Sequence, residues 1–286
     1  MTYSIVGRDE VSGELGVAVQ SRAFGVSLCA WARPGVGAVA TQAFTERGYG
    51  PRGLERLAAG QAPADALAEL LEADEQRDFR QVAFLAADGR TAAHTGAACI
   101  PDCGDLVREG VSAQGNMLAS PAVWHAAADT FETTRCSLAE RLLAALDAAE
   151  DAGGDFRGRE SAALVVVSGD PEEEPWQRVF DLHVDNHADP LGELRRLHRI
   201  AAAYRRRRDF DERTSLNEEV EIARDAGLPD DQVALSAAIV AVAHGDLDEA
   251  AERLRPTGES DPRWREALER YVRLGHMPPG VLDRLG

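Results

Sequence analysis

Thr2 directly follows Met1 and opens a largely apolar run, Tyr3-Ser4-Ile5-Val6. Removing Met1 would leave a free α-amine on a residue that also carries a hydroxyl, so one residue would supply both nucleophile and base. An α-amine titrates at about 8, which keeps enough of it unprotonated at neutral pH to take the hydroxyl proton. The chemistry expected of such a residue is attack on a carbonyl. The alternative is that a small second residue only licenses methionine removal.

Other polar residues stand where they could assist. Gln114-Gly115-Asn116 ends a strand before a helix, and its amides could form an oxyanion hole, in which one donor is typically worth about 3 kcal/mol. Thr2, Gln114 and Asn116 are therefore the candidate catalytic set; the competing roles are a turn cap for Asn116 and a satisfied sheet amide for Gln114. Gln20 and Gln42 lie in apolar strands, where buried amides need partners. A polar substrate pocket or cross-strand hydrogen bonding would each provide them. His94, before Thr95-Gly96, could orient the Thr2 hydroxyl, bind substrate or be structural. Arg157 or Arg159, ahead of Ser161, could grip a substrate carboxylate in bidentate fashion or be surface residues. Arg22 and Arg8 are cations available to tune Thr2. Gln20, Arg22, Gln42, His94 and Arg159 form the candidate substrate-binding set. Asp185, Asn186 and His187 have the residue types of a metal or acid/base site and equally suit a loop.

Composition removes several mechanisms. All 31 basic residues are arginine, so no lysine exists for a Schiff base, a pyridoxal phosphate anchor or a phosphate-binding loop. The formal charge of −18 argues against a nucleic-acid surface. Four cysteines make no disulfide framework in a chain of 286 residues. Cys99 and Cys103, with His94 nearby, would suit a zinc-dependent hydrolase only if a further close ligand existed, and loop cysteines are the simpler reading. No cofactor and no metal are expected. The sequence has neither a signal-peptide pattern nor a run of about 18 apolar residues, which leads to the expectation of a cytoplasmic protein off the membrane. A small-molecule substrate, a homo-oligomer and a protein partner for the C-terminal helices complete the expectations.

These residues need a scaffold. Periodicity predicts strands at 2–9, 14–21, 26–32 and 37–42, then helices at 51–59 and 63–72. Strands return at 81–87, 91–95 and 110–114, with an Asp88-Gly89 turn in the first pair. Helices at 121–131 and 137–151 precede strands at 161–168 and 178–184. Helix pairs between segments of antiparallel sheet predict an α+β fold, a four-layer α/β/β/α sandwich over residues 1–190; a two-layer ferredoxin-like fold uses fewer strands. From Leu191 onward only helix signals appear. The 191–286 region reads as an all-helical appendage whose segment from His244 to Leu254 has a tetratricopeptide-like pattern without a clean repeat.

Thr2-Tyr3-Ser4-Ile5-Val6, Val17-Ala18-Val19-Gln20-Ser21-Arg22, Ala40-Thr41-Gln42-Ala43, Tyr49-Gly50-Pro51, His94-Thr95-Gly96, Gln114-Gly115-Asn116-Met117-Leu118 and Ser161-Ala162-Ala163-Leu164 resemble the family known as domain of unknown function 1028. The resemblance spans roughly residues 2–190. It implies the N-terminal-nucleophile (Ntn) hydrolase fold, whose members share the sandwich and mostly cleave amide bonds. Hence the expectation of an Ntn amidohydrolase acting on a small C–N substrate, with a catalytically inactive ligand-binding or assembly scaffold as the alternative. Gln20-Ser21-Arg22-Ala23 is also similar to the second strand of proteasome-type members, where an Asp stands in place of Gln20 and a Lys lies further on. This chain has neither.

Overall fold

In the computed structural model, residues 2–285 are described, and Met1, whose removal the Thr2 chemistry requires, lies outside them. Two compact units divide the chain, one ending at Arg195 and the other starting at Arg196.

The first unit contains, in order, β1 (Thr2–Arg8), β2 (Leu15–Ser21), β3 (Ala30–Arg33), β4 (Gly37–Ala43), α1 (Tyr49–Ala58), α2 (Pro63–Glu72), β5 (Arg80–Ala86), β6 (Thr91–Thr95), β7 (Gly104–Arg108), β8 (Val111–Asn116), α3 (Ala122–Thr133), α4 (Leu138–Asp151), β9 (Ser161–Val167) and β10 (Phe180–Val184). The strands form two antiparallel sheets, β10-β9-β2-β1-β8-β7 and β3-β4-β5-β6. Two separate sheets replace the single sheet that a two-layer fold would need.

Strand alternation decides what each face meets. Val6, Leu15, Val17, Val165 and Val167 of the larger sheet pack against Ala38, Ala40, Ala83 and Leu85 of the smaller one. The other face of the smaller sheet, with Val39, Val82 and Phe84, is covered by Leu54 and Leu57 of α1 and Leu67 and Leu70 of α2. On the remaining face of the larger sheet α3 and α4 approach so closely that a Cβ on Gly7 would lie 2.5 Å from Phe131, and one on Gly16 2.7 Å from Leu142.

Three differences from the periodicity reading have local causes. Residues 26–29 form a 3-10 turn rather than the start of a strand, because Gly25 adopts φ 66° and the Ser161 hydroxyl accepts the Val26 N–H at 3.2 Å. β7 escapes detection because it is a five-residue edge strand with charges at Asp105 and Arg108, directly behind a Pro- and Cys-containing loop. α1 begins two residues ahead of Pro51, whose missing N–H costs nothing in a first helical turn.

The second unit is helical. α5 (Pro190–Arg206) runs across the division and is followed by α6 (Leu216–Asp225), α7 (Asp230–Ala243), α8 (Leu247–Ser260), α9 (Pro262–Arg273) and α10 (Pro279–Leu285). Side chains of Ser215, Asp246 and Asp261 cap α6, α8 and α9. Among the described residues no helix is long and apolar enough to cross a membrane.

The two sheets are also joined by buried amides. Gln81 on β5 is fully buried. Its Oε1 accepts from Gln42 Nε2 and from Asn116 Nδ2, both at 2.8 Å. Its Nε2 donates to Thr95 Oγ1 (3.0 Å) and to the carbonyls of Gly104 (3.1 Å) and Gly115 (2.8 Å). Gln81→Leu keeps the volume but leaves several of these groups buried and unpaired. It is expected to lower the unfolding free energy by about 3 kcal/mol, read from urea denaturation midpoints at constant slope.

Candidate functional site

Thr2 heads β1, near the centre of the six-stranded sheet, in register with Ser21 of β2 and Asn116 of β8; Ser21 is in turn in register with Ser161 of β9. The Tyr3 hydroxyl donates to Glu150 of α4 (2.8 Å), whereas the Ser4 hydroxyl donates to Gln42 of the opposite sheet (2.7 Å). Alternation therefore aims Thr2, like Ser4, into the space between the sheets. The result is a row of short polar side chains across four adjacent strands: Asn116, Thr2, Ser21, Ser161.

Thr2 is 4% exposed, and its hydroxyl donates to Ser21 Oγ at 3.1 Å. Ser21 Oγ also accepts the Ala23 N–H (3.1 Å), and the Ser161 hydroxyl donates to the Ala23 carbonyl (2.5 Å). The loop leaving β2 is thus pinned to the same row by two of its hydroxyls.

The amides differ in what they leave free. Gln42 Nε2 donates to the Thr2 carbonyl at 3.2 Å, so Gln42 holds the backbone of the candidate nucleophile. Asn116 spends one Nδ2 hydrogen on Gln81. A primary amide has two, and among the described residues the second meets no acceptor, which leaves a donor on the residue in register with Thr2. Gln114 is in register with Ser4, deeper in the sheet, where its Nε2 donates to Ser4 (2.6 Å) and its Oε1 accepts from Ser112 (3.1 Å). It is a wall of the core rather than a neighbour of the Thr2 hydroxyl. Gln20 is in register with Tyr3 and faces the helices; although fully buried, neither of its amide atoms has a hydrogen-bond partner among the described residues.

Backbone strain gathers at the same end. Among the described residues three non-glycines have positive φ: Ala43 (66°), Asp102 (55°) and Met117 (53°). Ala43 follows Gln42 and Met117 follows Asn116, while the Asp102 carbonyl accepts the Leu118 N–H at 3.0 Å. Left-handed non-glycine residues cost roughly 1 kcal/mol or more each and persist where surrounding structure imposes them, often at binding or catalytic sites.

The charged candidates scatter. Arg22 donates its N–H to Asp155 (3.2 Å) and pairs its guanidinium with Glu160. Arg8 sits at the far end of β1, lining a cavity of about 450 Å³ with Asp9, Glu109 and Arg135. Arg159 lies 3.6 Å from both Glu150 and Asp189, bordering a cavity of about 270 Å³ beside α4. His94 is in register with Val82, on the helix-facing side of the smaller sheet, and its Nε2 meets the Arg77 carbonyl at 2.9 Å. Its neighbour Thr95 faces the other sheet instead, accepting from Gln81 and donating to Asp105 at 2.6 Å. Cys99 Sγ contacts the Arg80 carbonyl at 3.4 Å, and Cys103 Sγ the Cys99 carbonyl at 3.8 Å. Asn186 and His187 brace Glu160 through a side-chain and a backbone bond, both 2.8 Å, and the Asp185 carbonyl accepts from Gly25. Among the described residues no three His, Cys, Asp or Glu side chains converge as a metal site.

The sequence profile of a family of unknown function, DUF1028, matches residues 2–194. The chain belongs to this family. The crystal structure of protein SPO2555 from Silicibacter pomeroyi, a DUF1028 protein, is similar: 32% sequence identity and a TM-score of 0.63, covering 69% of this chain and 84% of that one. No curated protein matches significantly. Every residue of the Thr2 row lies inside the DUF1028 span, and α6 to α10 lie beyond it.

Residue types alone did not single out three residues of this region. Ser21 is part of an apolar strand end, yet its register with Thr2 makes it the hydroxyl's partner. Gln81 opens a predicted strand, and its type alone gives no sign of the amides and carbonyls it joins. Asp155 sits in a Gly-rich loop. Its fully buried carboxylate accepts the Arg22 N–H and the Arg157 N–H (2.9 Å) and pairs with the Arg157 guanidinium (3.1 Å), tying the exits of β2 and β8 together. For Asp155 the available signal was the Asp-x-Arg-Gly turn pattern.

The loop after β4 has its own anchor. Arg80, 7% exposed, donates to the Phe44 carbonyl (2.5 Å) and to Asp74 (2.7 Å). The Arg80 hydrogen bond holds the Asp74 carboxyl down at about 2, and burial together with the bond to Asp74 raises the Tyr49 phenol. An unfolded Asp titrates near 3.9. Ionised Asp74 therefore stabilises the fold fully above about pH 4, and this contribution, about 2–3 kcal/mol, is lost as the pH falls through 2. Asp74→Asn also strands a buried guanidinium. It is expected to be destabilised by about 2–3 kcal/mol at pH 7, with the gap to the native protein narrowing from pH 4 to pH 2 in thermal unfolding followed by circular dichroism.

Proposed function

We propose that this protein is an N-terminal-nucleophile amidohydrolase with Thr2 as nucleophile. The stacking of α1 and α2, the smaller sheet, the larger sheet, and α3 and α4 supports the four-layer α/β/β/α sandwich of the Ntn type. The observation that carries the reading is the Thr2 hydroxyl itself: it heads a central strand, points between the sheets, and lies 3.1 Å from Ser21 Oγ in a row of polar side chains. Once Met1 is removed, the α-amine takes the hydroxyl proton as Oγ1 attacks the substrate carbonyl. The spare Nδ2 hydrogen of Asn116 stabilises the oxyanion, and the protonated amine then passes its proton to the leaving nitrogen. Water releases the acyl group from Oγ1 with the amine again acting as base. Gln42 fixes the Thr2 backbone and Ser21 orients the hydroxyl; Gln114 contributes rigidity. The reaction is placed in the cytoplasm and needs no metal or cofactor.

A second reading, an inactive Ntn-type scaffold whose C-terminal helices dock a partner, draws on the Gln114 and Gln42 amides being consumed within the core and on the absence of lysine. Intact mass with and without an alkyl β-lactone separates the two. The expected result is loss of Met1 and one adduct mapped to Thr2, absent in Thr2→Ala, slowed by about tenfold or more in Asn116→Ala, and retained in Thr2→Ser. Retained Met1, or an unmodified Thr2 after its loss, would move the assignment to the scaffold.

A further inference from the structure

The chain is poor in aromatics, with eight phenylalanines, yet it spends several of them on solvent at one end of the first unit. Phe24, Phe44 and Phe156 are 72%, 65% and 76% exposed, and Phe79 and Ile100 are also exposed. Their backbones trace the loops around Thr2. Phe24 follows Ala23, which both Ser21 and Ser161 hold. Phe44 follows the left-handed Ala43, one residue beyond the Gln42 that grips Thr2; its N–H donates to the Phe79 carbonyl (3.1 Å), and their rings lie 6.4 Å apart. The Phe156 N–H donates to the carbonyl of the left-handed Met117 (3.2 Å), whose own N–H reaches the Ile100 carbonyl (3.4 Å). The exposed Val11, by contrast, lies in the turn joining the far ends of β1 and β2, and Trp176 in the connection between β9 and β10.

A concentration of exposed apolar side chains of this kind marks a binding surface. Arg22, Arg80 and Arg157 beside these loops are paired with Glu160, Asp74 and Asp155, while Arg47 in the Phe44 loop and Arg77 ahead of Phe79 are exposed and have no ion pair among the described residues. An apolar group needs no charged partner and is served by the phenylalanines themselves. The apolar loops also adjoin the Thr2 row directly, through the same residues that position it.

Building on the Thr2 reading, we propose that this rim is the specificity site, and that the substrate is an amide carrying an apolar group next to the scissile carbonyl. Each methylene transferred from water to the rim is worth about a fourfold gain in affinity when fully buried. Occupants other than the substrate's own apolar group, such as a second copy of the chain, would compete with it.

The test uses the full chain and three β-lactones whose substituents are methyl, octyl and an ω-carboxyalkyl of matching length. In each reaction Thr2 Oγ1 bonds to the lactone carbonyl carbon, the ring C–O bond breaks, and the hydroxyl proton ends on the released oxygen. The protein gains the whole mass of the probe. The octyl probe is expected to acylate Thr2 at least tenfold faster than the methyl or carboxylated one. The triple variant Phe24→Ser, Phe44→Ser, Phe156→Ser is expected to bring the octyl-to-methyl ratio within about twofold of one, while Val11→Ser with Trp176→Ser leaves the ratio as it was. Equal rates for the three probes, or a preference for the carboxylate, would overturn the rim while leaving the nucleophile standing. Binding of an octanoyl aminocoumarin amide to Thr2→Ala, read by fluorescence anisotropy, separates the two readings. Binding that is lost in the triple variant supports the rim even where no lactone reacts, and absence of binding overturns it.

Discussion

The Gln81 side chain is the constraint from which the geometry of the Thr2 end follows. It spans the gap between two sheets at a level where hydrophobic packing would leave their relative position loosely set, and it replaces that freedom with directed hydrogen bonds to Gln42, Asn116, Thr95 and two backbone carbonyls. A buried amide left unpaired costs far more than a paired one contributes, so the arrangement is close to all or none. Gln42 extends the clamp to the Thr2 carbonyl and the Ser4 hydroxyl, so β1 is fixed by bonds from the opposing sheet as well as by its two neighbouring strands. Thr2 is accordingly among the most tightly held residues of its strand, although it stands at its end.

That rigidity explains how strain is tolerated beside it. Ala43 and Met117 turn left-handed directly after Gln42 and Asn116, the two clamp residues at the ends of β4 and β8. The amides fix the strand ends, the chain has to leave at once to avoid continuing across the opening, and the exit after Gln42 carries Phe44 outward while the Met117 carbonyl after Asn116 holds the Phe156 N–H. Asp155 performs the same service on the other side, binding the Arg22 N–H while its own loop pairs with Leu118. Clamp, strained exits and exposed phenylalanines are consequences of one another.

Much of this was legible in the residues, and what was not has a physical cause. Apart from β7 and the turn at 26–29, the strands and helices of the first unit follow from their apolar periods, and Thr2, Gln42 and Asn116 stand out by chemical type. Which side chains meet depends on register, which periodicity does not report: Ser21 and Thr2 are 19 positions apart and touch only because β1 and β2 pair residue 2 with residue 21. Alternation parity misleads in the same way. His94 and Thr95 are adjacent and equally plausible as polar site residues, but a single step along β6 sends one to the helices and the other to the amide clamp. Gln20 and Ser21 divide between the two faces likewise.

An arginine-only chain also constrains how the proposed nucleophile can be tuned. Arg22 is held by Glu160 and Arg8 is at the opposite end of β1, so neither guanidinium is free to face the Thr2 hydroxyl. Guanidinium could not serve as a proton acceptor in any case, since it stays charged at every working pH. What remains is hydrogen bonding. Ser21 Oγ, by accepting the Thr2 hydroxyl hydrogen, orients the Oγ1 lone pairs away from β2. In the proposed reaction hydrogen bonds with neutral groups, at Ser21, Gln42 and Asn116, therefore do the work that a neighbouring cation does elsewhere. An apolar substrate group seated on the phenylalanine rim would exclude water from these hydrogen bonds and strengthen them, coupling recognition of the substrate to the reaction.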